Sequence, residues 1–104
     1  MTQVILLPPN TASPTVGDPV SLYGRSSFKL QFTPQASAGF SGTILLEFMI
    51  GTMLFLPWYP TTQIDFGAHT GTVVFDLYLA GNYTAIRAEV INPTLGSISA
   101  YMAY

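Results

Sequence analysis

The chain contains no cysteine, so disulfides, thiolate chemistry and cysteine-held metals are excluded. Its single histidine, His69, rules out a His–His metal pair. No Asp-x-Asp-x-Asp loop supplies an oxygen cage instead. Charge is scarce as well. Three basic and five acidic residues make up 8% of 104 residues, where an ordinary soluble domain carries roughly 25%. The formal net charge is −2 and the pI ≈ 4.8. Without a basic cluster the electrostatic footprint of a nucleic-acid binder is missing. Long apolar runs are absent too. Ile44–Ile50 is interrupted by Glu47 and is too short to span a bilayer. Met1-Thr2-Gln3 has no basic character, and Pro8-Pro9 breaks the short run Val4–Leu7, so neither a signal peptide nor a membrane partner is expected. Asn82-Tyr83-Thr84 fits the N-glycosylation pattern, a tripeptide common by chance that carries little weight without a secretion signal.

What the chain has in quantity is apolar and neutral polar side chains. Hydrophobic residues are 49% of it, enough for one core, and the length matches a single domain over residues 1–104. With so few charges, much of the surface is neutral, a composition suited to burial against neighbouring subunits.

No window has helical periodicity. Period-2 alternation recurs between Gly, Pro, Asn and Ser breaks. Phe28, Leu30 and Phe32 share one face against Lys29 and Gln31. Ile44, Leu46, Phe48 and Ile50 share another, with Glu47 on the reverse. Ile64 and Phe66 alternate with Gln63 and Asp65. Ile98, Ala100 and Met102 point inward, with Ser97, Ser99 and Tyr101 outward. The strongest local signal is a hairpin: Thr72–Leu79 and Tyr83–Ile91 flank Gly81-Asn82, a dipeptide suited to positive φ. That register sets Val73, Phe75 and Leu77 opposite Val90, Ala88 and Ile86, and Asp76 opposite Arg87. Glu47 and Lys29 form a second candidate cross-strand pair.

Pro8-Pro9 is expected to end a first strand. Residues 10–18, 33–41, 51–60 and 92–95 are expected to be loops. Seven to eight short strands follow, and the fold class is all-β, a two-sheet antiparallel sandwich of jelly-roll-like type.

Catalytic chemistry has little to work with. His69 lies in Gly67-Ala68-His69-Thr70-Gly71, a pattern that reads as a tight turn. No Gly-x-Ser-x-Gly elbow accompanies the serines. Asp76, Glu47 and Glu89 have basic residues at hand, while Asp18 and Asp65 fall at loop or strand ends. No enzyme activity and no cofactor are expected. Met49–Tyr59 is different in kind, concentrating Leu54, Phe55, Trp58 and Tyr59 in one segment. Such residues either plug one end of a sandwich or form a contact surface. Leu54, Phe55, Trp58 and Tyr59 are the candidate partner-binding residues. Val4, Ile5 and Leu6 are candidates for an arm or edge strand that adds to a neighbour's sheet. Tyr78, Tyr101 and Tyr104 are further outward candidates.

Two stretches together carry a resemblance. Phe40-Ser41-Gly42-Thr43-Ile44 is followed by Glu47 and, farther on, Trp58. Gly81-Asn82-Tyr83 leads into Ile86-Arg87-Ala88-Glu89-Val90 and then Gly96-Ser97-Ile98. Over about residues 28–100 this resembles the small β-sandwich virion proteins of tailed bacteriophages. The apolar run Phe48-Met49-Ile50-Gly51-Thr52-Met53 departs from that pattern. The resemblance implies a structural virion protein present in many copies and often trimeric. It would be a capsid decoration or cement protein binding the major capsid protein or other virion proteins, or else a tail, fibre or baseplate component. A carbohydrate-binding module with Trp58 and Tyr59 as its stacking platform is a reading from another class.

Overall fold

A computed structural model describes residues 3–23, 25, 27–50, 54–57, 63–78 and 83–103, without the side chains of residues 50 and 54–57. The described residues form ten strands and no helix: β1 (Gln3–Thr11), β2 (Thr15–Val16), β3 (Val20–Ser21), β4 (Ser27–Pro34), β5 (Phe40–Ile50), β6 (Leu54–Pro57), β7 (Gln63–His69), β8 (Val73–Tyr78), β9 (Tyr83–Gly96) and β10 (Ile98–Ala103). They pair antiparallel throughout, in two sheets. One has the order β1-β10-β4-β8. The other is built on β2-β9-β5-β6, with β3 also on β9 and β7 also on β5. The chain is thus an all-β two-sheet sandwich.

The alternating residues make its interior. Phe28, Leu30, Phe32, Ile98, Ala100 and Met102 of the first sheet meet Ile44, Leu46, Phe48, Ile86, Ala88 and Val90 of the second, all buried. Phe32 sits among rings, 6.1 Å from Phe66 and 5.9 Å from Phe75 between centroids. Ser97 and Ser99, expected outward, are buried. The Ser97 and Ser99 hydroxyls donate to the Gln35 side-chain carbonyl oxygen and the Thr33 carbonyl, long contacts of 3.4 and 3.5 Å.

Several local expectations are corrected. β8 does not pair with β9. It pairs with β4, Phe28 opposite Leu77 and Leu30 opposite Phe75, while β9 runs along β5 with Ile44 opposite Val90 and Phe48 opposite Ile86. The apolar faces of β8 and β9 both point inward as the alternation requires, but across the sandwich rather than side by side. Gly81-Asn82 itself lies outside the described residues. The ion pairs change partners accordingly: Lys29 Nζ meets Asp76 Oδ1 at 2.8 Å and Arg87 Nε meets Glu47 Oε1 at 3.2 Å.

Pro8-Pro9 does not end β1. The strand passes through them by a register shift between Leu7 and Thr11, with Asn10 at φ 63° and the Thr11 hydroxyl donating to the Pro8 carbonyl at 2.7 Å. Prolines are tolerated there because β1 is an edge strand and the bulge needs no proline N–H. Three further expected loops contain strand as well: β2 within residues 10–18, β6 within 51–60, and the end of β9 across 92–95. Of residues 33–41 only the middle is a turn, closed by the Gly39 N–H on the Gln35 carbonyl at 2.8 Å. Ten strands replace the expected seven or eight, and β5 and β9, at 11 and 14 residues, are not short.

At one flank the two sheets approach closely. The Gly17 N–H donates to the Ala88 carbonyl at 2.7 Å. A Cβ on Gly17 would collide with the Leu6 carbonyl oxygen of the opposite sheet. Only glycine allows the sheets to approach this closely.

Candidate interaction surfaces

The β pairing fixes what each outer face displays. On the four-stranded sheet, Ile5 lies opposite Tyr101, Tyr101 opposite Gln31, and Gln31 opposite Val74. A second row runs Gln3, Ala103, Lys29, Asp76. Ile5 and Val74, at its two edges, are 51% and 55% exposed. Both are apolar where solvent would favour polar side chains. The only charges on these two rows are Lys29 and Asp76, joined to each other. The Asp76 carboxylate, by hydrogen bond and by its charge, holds the Lys29 ammonium above its usual range. Gln3, Lys29, Gln31, Val74, Tyr101 and Ala103 line a depression of ≈ 250 Å³ in this face.

The outer face of the six-stranded sheet is acidic. Glu47 and Arg87 are neighbours across the β5–β9 ladder, and Glu89 lies two residues beyond Arg87, opposite Leu45. The Glu47 and Arg87 side chains are only 15% and 28% exposed. Burial, then a hydrogen bond with Glu47 and its charge, push the Glu89 carboxyl above the usual range, against an opposing pull from Arg87. Asp65 accepts from the Thr43 hydroxyl at 2.8 Å and from the Gln63 amide at 3.2 Å, which hold it below the usual carboxylate range. Three carboxylates therefore share this face with one guanidinium.

On the flank away from Gly17, a groove of ≈ 570 Å³ separates β7 from β8. Leu30, Leu46, Ile64, Phe75 and Leu77 line it, with Asp65, Asp76 and Tyr78 at its rim. Leu30 and Leu46 form its floor and belong to the core.

The sequence-derived candidates fall unevenly onto these surfaces. Leu54 and Phe55 are in β6, opposite Ile50 and Met49. Trp58, Tyr59 and Tyr104 lie outside the described residues. Val4, Ile5 and Leu6 belong to β1, paired to β10 of the same chain. Leu6 is buried, Val4 packs on the core and Ile5 points out. They are part of the sandwich, at its edge. His69 is not in a tight turn but ends β7 opposite Phe40, its ring 5.9 Å from Phe66. Asp65, expected at a strand end, is in the middle of β7. Among the described residues no three His, Cys, Asp or Glu side chains are grouped to hold a metal, and no helix is long and apolar enough to cross a membrane. Sequence reasoning missed Val74, whose exposure depends on β8 being a sheet edge. Alternation already set Val74 on the outward face with Asp76; its place opposite Gln31 was available only with the right strand partner.

No protein-family model matches the chain and no curated protein matches it. Among solved structures it is similar to the crystal structure of SPBc2 prophage-derived protein YomS, at 13% sequence identity and a TM-score of 0.68, over 97% of this chain and 88% of that one. At that identity the likeness is one of fold.

Proposed function

We propose that this chain is a structural protein of a bacteriophage particle, a decoration or cement protein that binds the assembled head and stabilises it. The observation that carries the reading is a fold shared along nearly the whole chain with a prophage-derived protein. It is supported by a surface with few charged residues and exposed apolar residues at sheet edges. The mechanism is mechanical. A rigid sandwich docks across joints between capsid subunits, and because it binds only the assembled lattice, mass action favours the closed shell. Its partners are the major capsid protein and other copies of itself, a trimer being the first stoichiometry to test. No catalytic step and no cofactor enter the reading, and its place of action is the virion.

The test is co-sedimentation of the purified protein with empty expanded heads of the virus that encodes it, alongside unexpanded procapsids. Binding to expanded heads alone, with a higher temperature of head rupture, is the expected result. Gold-labelled antibody confined to the tail would overturn the cement assignment and move the protein to the tail, fibre or baseplate.

A further inference from the structure

The two outer faces differ in what they can meet. Stacking the six-stranded sheet on a second copy of itself would bring carboxylates together, since Glu47, Glu89 and Asp65 outnumber Arg87 there. Like charges set against one another are costly at an interface. The four-stranded sheet has no such conflict. The Lys29–Asp76 ion pair is closed at 2.8 Å within the face, and Arg25, just before β4, borders its Lys29–Asp76 end but lies outside both rows.

The central row also has a symmetry of its own. Read across β1, β10, β4 and β8 it is Ile5, Tyr101, Gln31, Val74: apolar, polar, polar, apolar. A two-fold axis lying in the face, parallel to the strands and between β10 and β4, exchanges β1 with β8 and β10 with β4. It therefore brings Ile5 against Val74 and Tyr101 against Gln31. In the next row Lys29 meets Ala103 and Asp76 meets Gln3, so no charge faces its own kind. We propose that two copies of this chain dock face to face through the outer surface of the four-stranded sheet, with Ile5 of each copy against Val74 of the other and Tyr101 against Gln31. The depression lined by Gln3, Lys29, Gln31, Val74, Tyr101 and Ala103 receives the phenol ring of the second copy's Tyr101. Aligned packing of two twisted sheets is an ordinary arrangement in β proteins, and a two-fold contact is self-complementary by construction.

The area sets the strength. Four strands about 4.8 Å apart and six residues of about 3.3 Å give a face of roughly 400 Å² in projection on each copy. The total is below the ~1,200 Å² of a standard interface, so the dimer is weak and concentration-dependent. It becomes occupied where copies are held close together, as on a surface that already binds them. The proposal does not depend on where the protein resides, and a trimer built through another surface would be linked pairwise by this one.

Sedimentation velocity of the whole chain, from micromolar to millimolar concentration, tests it. The expected result is a monomer–dimer equilibrium, weakened about tenfold or more by Val74→Glu or by Ile5→Lys. The double variant regains the association, because each new lysine then faces a new glutamate. Val16→Glu, on the outer face of the other sheet, leaves the equilibrium unchanged. Should a charged variant fail to fold by circular dichroism, Tyr101→Ala removes the outward ring without adding charge and must weaken the dimer as well. A wild-type chain that stays monomeric throughout overturns the proposal. So does a dimer indifferent to Val74→Glu and Tyr101→Ala, or a double variant no tighter than its parents.

Discussion

Arg87 donates from Nε to Glu47 Oε1 at 3.2 Å across the β5–β9 ladder, on the outer face of the larger sheet. Both side chains are mostly shielded from water, and Glu89 is held against the same cluster. The guanidinium therefore offsets the charge of two carboxyl groups that meet in a poorly solvated place. Arg87→Ala is expected to destabilise the fold by about 2 kcal/mol, the loss of a partly buried charge partner, read from the urea midpoint. Lys29→Ala removes a pair whose ends are both more than half exposed and is expected to leave that midpoint unchanged. An equal loss in both variants would contradict the assignment.

Glu89 gives the fold a pH dependence of definite sign. Its carboxyl is raised above the ordinary 4.5 in the folded chain, so the folded state holds this proton after the unfolded state has released it. Stability from this group is therefore intact below 4.5 and is lost as pH rises through the folded value. Asp65 works in the opposite direction. Lowered from 3.8, it contributes stability above that value and loses it as pH falls through the folded one. Thermal melts from pH 3 to pH 8 are expected to show Glu89→Gln more stable than the parent at neutral pH, with the advantage gone in acid. A Gln variant that is less stable at neutral pH would contradict the burial of this carboxylate.

Gly96 and Gly67 form a matched pair of tests. Gly96 has φ 66°, and a Cβ there would strike the Gly39 carbonyl oxygen. Gly96→Ala is expected to cost about 2 kcal/mol or more, for positive φ and collision together. Gly67 has nothing within 4 Å of where its Cβ would lie, so Gly67→Ala is expected to be neutral or slightly stabilising. The difference in melting temperature between the two variants decides it.

Phe32 has no exposed surface and sits among other phenylalanines. Phe32→Ala is expected to cost about 3–5 kcal/mol. Phe75, 37% exposed at the mouth of the groove, is expected to cost clearly less when replaced by Ala. Chemical denaturation of both variants orders them.

The faces of the strands were legible in the sequence and their partners were not. Phe28, Leu30 and Phe32 point inward as alternation demands, and so do Ile44, Leu46 and Phe48. Alternation sorts side chains into two faces but is indifferent to which strand lies alongside. Val73, Phe75 and Leu77 match Ile86, Ala88 and Val90 equally well as neighbours in one sheet or as opposing layers of a sandwich. The Gly81-Asn82 signal favoured the first arrangement; the structure has the second. The swapped ion pairs follow from that one choice, since Lys29, Glu47, Asp76 and Arg87 are paired both ways on paper. Of the surface, the outward phases of Tyr101 and Val74 followed from alternation, while which residues flank them across the sheet did not, because that depends on the strand partners.

The close approach of the sheets at Gly17 and the groove between β7 and β8 lie on opposite flanks, and together they give the molecule a spine and a fore-edge. Local opening should start at the groove, where the sheets stand apart. Exchange with deuterium should therefore reach the amides of β8 well before those of β9 beside Gly17, with β5 among the last. The domain would breathe like a book, and any assembly that grips the flank away from the spine would hold it shut.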